Sequence, residues 1–150
     1  MLDMTFAGFR LYRDATRRLT LELAGEVDEA AALALECEAR VDLALVAGGS
    51  LRVLWDLSAV RGYTLEARVV LARVQQFLAT KSRGTAFVAP QLTTRSLALW
   101  AARMGDGRPA CIAADRAAAE AWLAASESQP LGVRQLGAAE GGGAFARRTG

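Results

Sequence analysis

The 150-residue chain contains no histidine. That absence removes the commonest general base, the serine and cysteine triads that depend on it, and every histidine-containing metal site. Lysine is almost missing too: Lys81 stands alone, and arginine supplies the remaining positive charge. With so much alanine, this balance points to the coding bias of a GC-rich genome rather than to phosphate binding. The net charge of +2 is small and the basic residues are scattered, which argues against a nucleic-acid surface. Of the two cysteines, Cys37 falls on an expected helix and Cys111 on an expected strand. They form no metal or redox motif and read as buried, inert thiols. No apolar run approaches the roughly 18 to 20 residues that span a bilayer. The opening MLDMTFAGFR lacks the basic-then-apolar order of a signal peptide, so the expected location is cytoplasmic. Also missing are a glycine-rich phosphate cradle, paired carboxylates at a recognisable spacing, and a nucleophile with a partner. No catalytic residue, cofactor or metal is therefore expected.

What is present describes one well-buried α/β core. The apolar fraction is 53% and the charged fraction 23%, the proportions of a soluble globular protein. Residues 51–71 organise the chain. Positions 51–57 are apolar except Arg52 and Asp56, as in a strand covered on both faces. Residues 58–63 break that pattern, with Gly62 free to take unusual backbone angles. Thr64 then caps a helix whose apolar stripe includes Ala67, Val70, Leu71, Val74, Phe77 and Leu78, with Glu66 in its positive first turn.

Before this unit, residues 9–12 and 19–23 read as an antiparallel hairpin. A helix capped by Asp28 follows and runs through Val46, until Gly48 and Gly49 stop it. After the unit, residues 82–84 form a break, 85–89 a short apolar strand, about 93–104 a helix, 110–113 a last strand, and Asp115 caps a closing helix. The expected architecture is a mixed, mostly parallel central sheet of about five strands with about four helices, opening with an antiparallel hairpin. Residues 1–125 form a single domain. Residues 126–150 read as a glycine-rich C-terminal tail, flexible or docked through Leu131, Val133, Leu136 and Phe145.

The element order and the segment VLWDLSAVRGYTLEA resemble the STAS fold of bacterial anti-anti-sigma proteins, and more closely its SpoIIAA-like, STAS/SEC14 branch. The resemblance rests on Asp56, Gly62, Tyr63, Thr64, Glu66 and Ala67, on TAFVA, and on the terminal DRAAAEAWLA. It covers about residues 8 to 125. It implies a non-enzymatic module for regulatory protein interaction, with a protein partner or a second copy as its target. In partner-switching members a serine at the start of the central helix is phosphorylated and binding breaks, an effect of added charge and acceptors. Here the matching positions are Thr64, Leu65, Glu66 and Ala67, so the acceptor serine is missing and a glutamate stands in its place.

The candidate interaction surface is therefore Asp56, Ser58, Arg61, Gly62, Tyr63, Thr64 and Glu66. Asp56 at a strand end faces either a ligand crevice or nearby amides of residues 59–62, as Asp-x-Ser sequences favour. Arg61 is either an anion contact or solvated, and Glu66 a dipole partner. The SEC14 label implies an alternative, a carrier of a small apolar or amphipathic ligand, whose candidate cavity would involve Leu97, Trp100 and Met104. Ordinary core packing accounts for the same stripe.

Overall fold

The computed structural model describes residues 3–6, 8–105, 109–125 and 133–135. Among them, the elements run β1 (Asp3–Phe6), β2 (Phe9–Arg13), β3 (Arg18–Val27), α1 (Glu29–Asp42), β4 (Leu51–Tyr63), α2 (Leu65–Lys81), β5 (Ser82–Val88), α3 (Leu92–Arg103), β6 (Ala110–Ala113), α4 (Arg116–Ala125) and β7 (Val133–Gln135). All seven strands share one sheet in simple sequence order. The β1–β2 and β2–β3 pairs are antiparallel and the remaining pairs parallel. The fold class is the expected one. The five expected strands form the middle of the sheet, and β1 and β7 add one strand at each edge. VRQ is three residues long, too short for an alternating pattern to register. Residues 126–132 and 136–150 of the expected tail lie outside the described residues, while residues 133–135 pair with β6.

Helices α1, α2 and α3 cover one face of the sheet, as right-handed crossovers stepping in one direction require, whereas α4, between the parallel neighbours β6 and β7, lies on the other face and departs from that rule. Beneath them Leu19, Leu21, Val53, Trp55, Leu71 and Phe87 form the main core. The Trp55 and Phe87 rings stack at 6.0 Å. On the other face α4 lays Ala119, Trp122 and Leu123 over Leu54, Ala86, Val88, Cys111 and Ala113. The strands alternate accordingly. On β4, Val53, Trp55 and Leu57 point to the main core, while Leu54 and Asp56 point to the face of α4.

The helix starts follow the sequence signals. Asp28 Oδ1 accepts the Ala31 amide at 2.9 Å, Thr64 Oγ1 that of Ala67 at 3.1 Å, and Asp115 Oδ1 that of Ala118 at 2.8 Å. Helix α1 ends at Asp42, short of Val46, because the chain turns there to reach β4; Lys81 Nζ takes the Val46 carbonyl at 2.9 Å. Cys111 is buried as expected, but Cys37 is exposed on α1, since it lies on the helix face opposite Leu35 and Ala39.

Candidate functional site

The largest departure from the sequence reading lies where the candidate residues are. Residues 58–63 are strand, because β4 runs on beyond β5. Its partner β5 ends at the Asp56–Val88 pair, whereas β3 continues alongside, matching Ala24 with Ala59 and Val27 with Tyr63. Two register shifts interrupt that extension, as bulges do at sheet margins. Asp56, Ser58, Arg61, Gly62 and Tyr63 thus sit on a two-stranded arm rather than in a loop.

Asp56 is the inner end of this arm. One carboxylate oxygen accepts the Ser58 amide at 3.0 Å and the Ser58 hydroxyl; the amides of residues 59–62 are not its partners. The other accepts Arg116 Nη1 at 3.1 Å. The same Nη1 reaches Glu22 Oε2 at 2.8 Å, Nη2 donates to the Tyr12 hydroxyl at 2.9 Å, and Nε donates to Glu120 at 2.9 Å. Tyr12 donates in turn to Glu22 at 3.1 Å, and Arg10 stacks 4.5 Å over the Tyr12 ring. Burial opposes the charge on Arg116, but its bonds to Tyr12, Glu22 and Glu120 outweigh it and hold the guanidinium above its ordinary pKa. Three carboxylates and two arginines thus form a clamp between α4 and the sheet. Each of its three carboxylates accepts a hydrogen bond from Arg116. A shallow groove of about 410 Å³ opens beside it, lined by Arg10, Glu22, Asp56 and Ser58.

At the outer end of the arm, Gly62 does not use a left-handed backbone; a Cβ there would run into the Glu26 carboxylate. Arg61 is exposed. The Tyr63 hydroxyl donates to the Thr93 carbonyl at 3.2 Å, tying the end of β4 to the start of α3. Thr64 caps α2 and Glu66 is exposed in its first turn. Beside them Leu65 is 68% exposed and Val69 55%.

Of the three residues named for a ligand cavity, Leu97 lines the space between α3 and the sheet, and Trp100 and Met104 do not. Leu97 is buried, but Trp100 turns outward under the Arg68 guanidinium, 4.7 Å from its ring centre, and Met104 caps the end of α3. The space between α3 and the sheet is about 10 Å³ with a wholly apolar lining that includes Trp55, Phe87 and Leu97. That is the volume of about one water probe and offers a water no polar partner. A larger groove of about 640 Å³ lies at the opposite end of the sheet, lined by Arg13, Asp14, Arg17, Leu45 and Ser50 among others. No cluster of metal-ligating side chains occurs among the described residues, and no helix there is long and apolar enough to cross a membrane.

Sequence reasoning missed Arg116, Glu22 and Tyr12 as partners of Asp56, which join only through the sheet register that sets Glu22 opposite Asp56. It also missed Leu65 and Val69, whose signal was available: both lie outside the apolar stripe of α2.

No protein-family model matches the chain, and no curated protein matches it. Solved structures do. An uncharacterized protein from the DUF3478 family with a SpoIIAA-like fold, from Shewanella loihica PV-4, superposes with a TM-score of 0.60 at 15% identity, covering 77% of this chain and 91% of that one. The anti-sigma factor antagonist SpoIIAA in its unphosphorylated form gives 0.50 at 16% identity over 95% and 98% of the two chains. The Bacillus cell fate determinant SpoIIAA in the phosphorylated form gives 0.51 at 19% identity over 75% and 97%. The chain has a STAS, SpoIIAA-like fold.

Proposed function

We propose, from the premise of that fold, that the protein is a non-enzymatic interaction module that binds a protein partner through the outer arm of β4 and the exposed side of α2. The observation that carries this reading is the pair Leu65 and Val69, one turn apart and 68% and 55% exposed beside Tyr63 and Thr64. Burying such a side chain fully is worth about 1.5 to 3 kcal/mol, so a complementary surface gains most by meeting it here. The Tyr63 bond to Thr93 adds Leu92, 79% exposed, to the same end of the molecule. SpoIIAA, a fold relative described as an anti-sigma factor antagonist, supports a regulatory role.

Binding here is constitutive. SpoIIAA is known in phosphorylated and unphosphorylated forms. In this chain Glu66 occupies the position matched to the acceptor serine, and a carboxylate beside a helix start carries a permanent charge where phosphate would add one. The test is affinity capture from native lysate with wild type, with Leu65→Ser, Val69→Ser, and with Arg61→Ala, Tyr63→Ala. Loss of a specific partner with the first double variant is expected, as is recovery unchanged by phosphatase treatment. Equal recovery of every partner by all three proteins overturns the surface, and phosphatase-sensitive recovery overturns its constitutive character.

A further inference from the structure

The groove of about 640 Å³ lies at the opposite end of β4 from the surface proposed above and has no part in it. One wall is the β2–β3 turn, with Arg13, Asp14 and Arg17; the other is the segment between α1 and β4, with Leu45, Val46 and Ser50. Each wall is held by bonds of its own. In the turn, Asp14 Oδ1 accepts the Thr16 amide at 2.8 Å, the Thr16 hydroxyl at 2.5 Å and the Arg18 amide at 3.2 Å, while Arg52 Nη2 donates to the Thr16 carbonyl at 3.2 Å. In the other wall, the Ser50 hydroxyl donates to the Ala47 carbonyl at 2.6 Å and Lys81 Nζ to that of Val46 at 2.9 Å. The groove is therefore formed before any ligand enters it, which lowers the cost of binding.

Arg17 sets this groove apart. Among the described residues it is the one non-glycine residue with a left-handed backbone, at φ 62°. A side chain with a Cβ is strained in that region, whereas glycine would close the same turn freely. The strain is not offset within the fold: the Arg17 side chain is exposed and makes no hydrogen bond or ion pair with any described residue. A charged side chain held at a strained position on the wall of a groove, with no partner in the fold, is placed to meet one from solution.

We propose that the groove binds a small organic carboxylate, with its charged end on Arg17 and its apolar body on Leu45, Val46 and Leu51. An arginine presents its donors in a planar fork that matches a carboxylate, and those of Arg17 are untaken among the described residues. Arg13 already faces Asp42, with Nη2 and Nε each 3.4 Å from a carboxylate oxygen. Asp14 is held by its turn donors and by Arg18, whose Nε lies 3.5 Å away. Arg17 is thus the lining cation without a carboxylate, which suits one negative charge, and Asp14 on the same wall opposes a second. Arg52 and Lys81, bonded to the backbone of the two walls, add to the positive field. The apolar body follows from the other wall, where Leu45 is 99% exposed and gains by being covered. The volume falls in the range that holds drug-sized ligands.

Amide chemical-shift mapping by NMR on the full chain tests it, with hexanoate and 4-phenylbutanoate as probes. Saturable shifts centred on residues 13–17 and 43–51 are expected. Acetate, which lacks the apolar body, and 4-phenylbutanamide, which lacks the charge, are each expected to bind at least tenfold more weakly. Arg17→Gly is expected to raise the thermal midpoint, because the backbone strain is relieved, and to weaken binding of both probes at least tenfold. A variant that is more stable yet binds less has not lost the site by misfolding. Leu45→Ser, at a fully exposed position, is expected to weaken 4-phenylbutanoate several-fold, and Leu65→Ser, Val69→Ser to bind it as wild type does. No saturable shift with either probe at up to about 10 mM, where a site of millimolar affinity is filled, overturns the proposal. So do shifts centred elsewhere, undiminished binding by Arg17→Gly, and equal binding of the amide. Tighter binding of 4-phenylbutyl phosphate than of the carboxylate overturns the single-charge assignment.

Discussion

Gln75 is 1% exposed on the buried side of α2. Its amide oxygen accepts the Trp55 indole N–H at 2.8 Å, and its amide nitrogen donates to the Thr85 hydroxyl at 3.2 Å, which lies 3.3 Å from that of Ser82. Replacing it by leucine keeps the volume but leaves the indole donor unsatisfied. Gln75→Leu is expected to cost about 1 to 3 kcal/mol, read as a lower urea midpoint at unchanged slope. Adding Trp55→Phe, which removes the orphaned donor, should recover part of that loss. No sequence pattern exposes this role. A glutamine among Val74, Gln76 and Phe77 reads as solvent-facing, and only the approach of Thr85 from β5 makes it a buried bridge. Cys37 shows the converse: cysteine is commonly buried, but helix phase turns this one outward. The caps Asp28, Thr64 and Asp115 were legible because capping is a local matter of one side chain and an amide two or three residues on.

Between elements, the contact of α1 with α2 is partly electrostatic. Glu36 accepts from Arg73 at 2.5 and 2.7 Å. That hydrogen bonding, acting against partial burial, holds the Glu36 carboxyl below its ordinary pKa. A carboxylate whose folded pKa is depressed adds stability above its unfolded value, about 4.3, and loses it as the pH falls through the folded one. Glu36→Gln should therefore be less stable than wild type by about 0.5 to 1 kcal/mol between pH 5 and 7. The difference should shrink steadily below about pH 4.3, in denaturation midpoints measured across that range. Element existence and order were legible throughout residues 9–125, since each helix announces its face by spacing. The end of β4 was not, because Asp56 and Ser58 look like a strand terminus from within their own segment. What prolongs the strand is a neighbour, β3, whose length is a separate fact of the chain.

At the scale of the molecule, α4 is the one helix among the described residues that covers its face of the sheet, and Arg116 fastens it there to side chains from β2, β3 and β4. Arg116→Met keeps the stem but removes the cation that Glu22 and Asp56 share, leaving Arg10 at 3.8 Å from Glu22. A loss of about 1 to 3 kcal/mol is expected. Hydrogen exchange should locate it: α4 amides should speed up more than those of α1 to α3, and uniform acceleration would count against a local clamp. The simple strand order has a further consequence, in time rather than in space. Each strand sits beside its neighbour in sequence, so a nascent chain leaving the ribosome can add every new segment to an edge already formed. Arg116 breaks that rule by reaching back 104 positions to Tyr12. At about 5 to 20 residues per second the two are translated about 5 to 20 s apart. The clamp is thus a late latch, thrown after β1 to β6 have already been laid down.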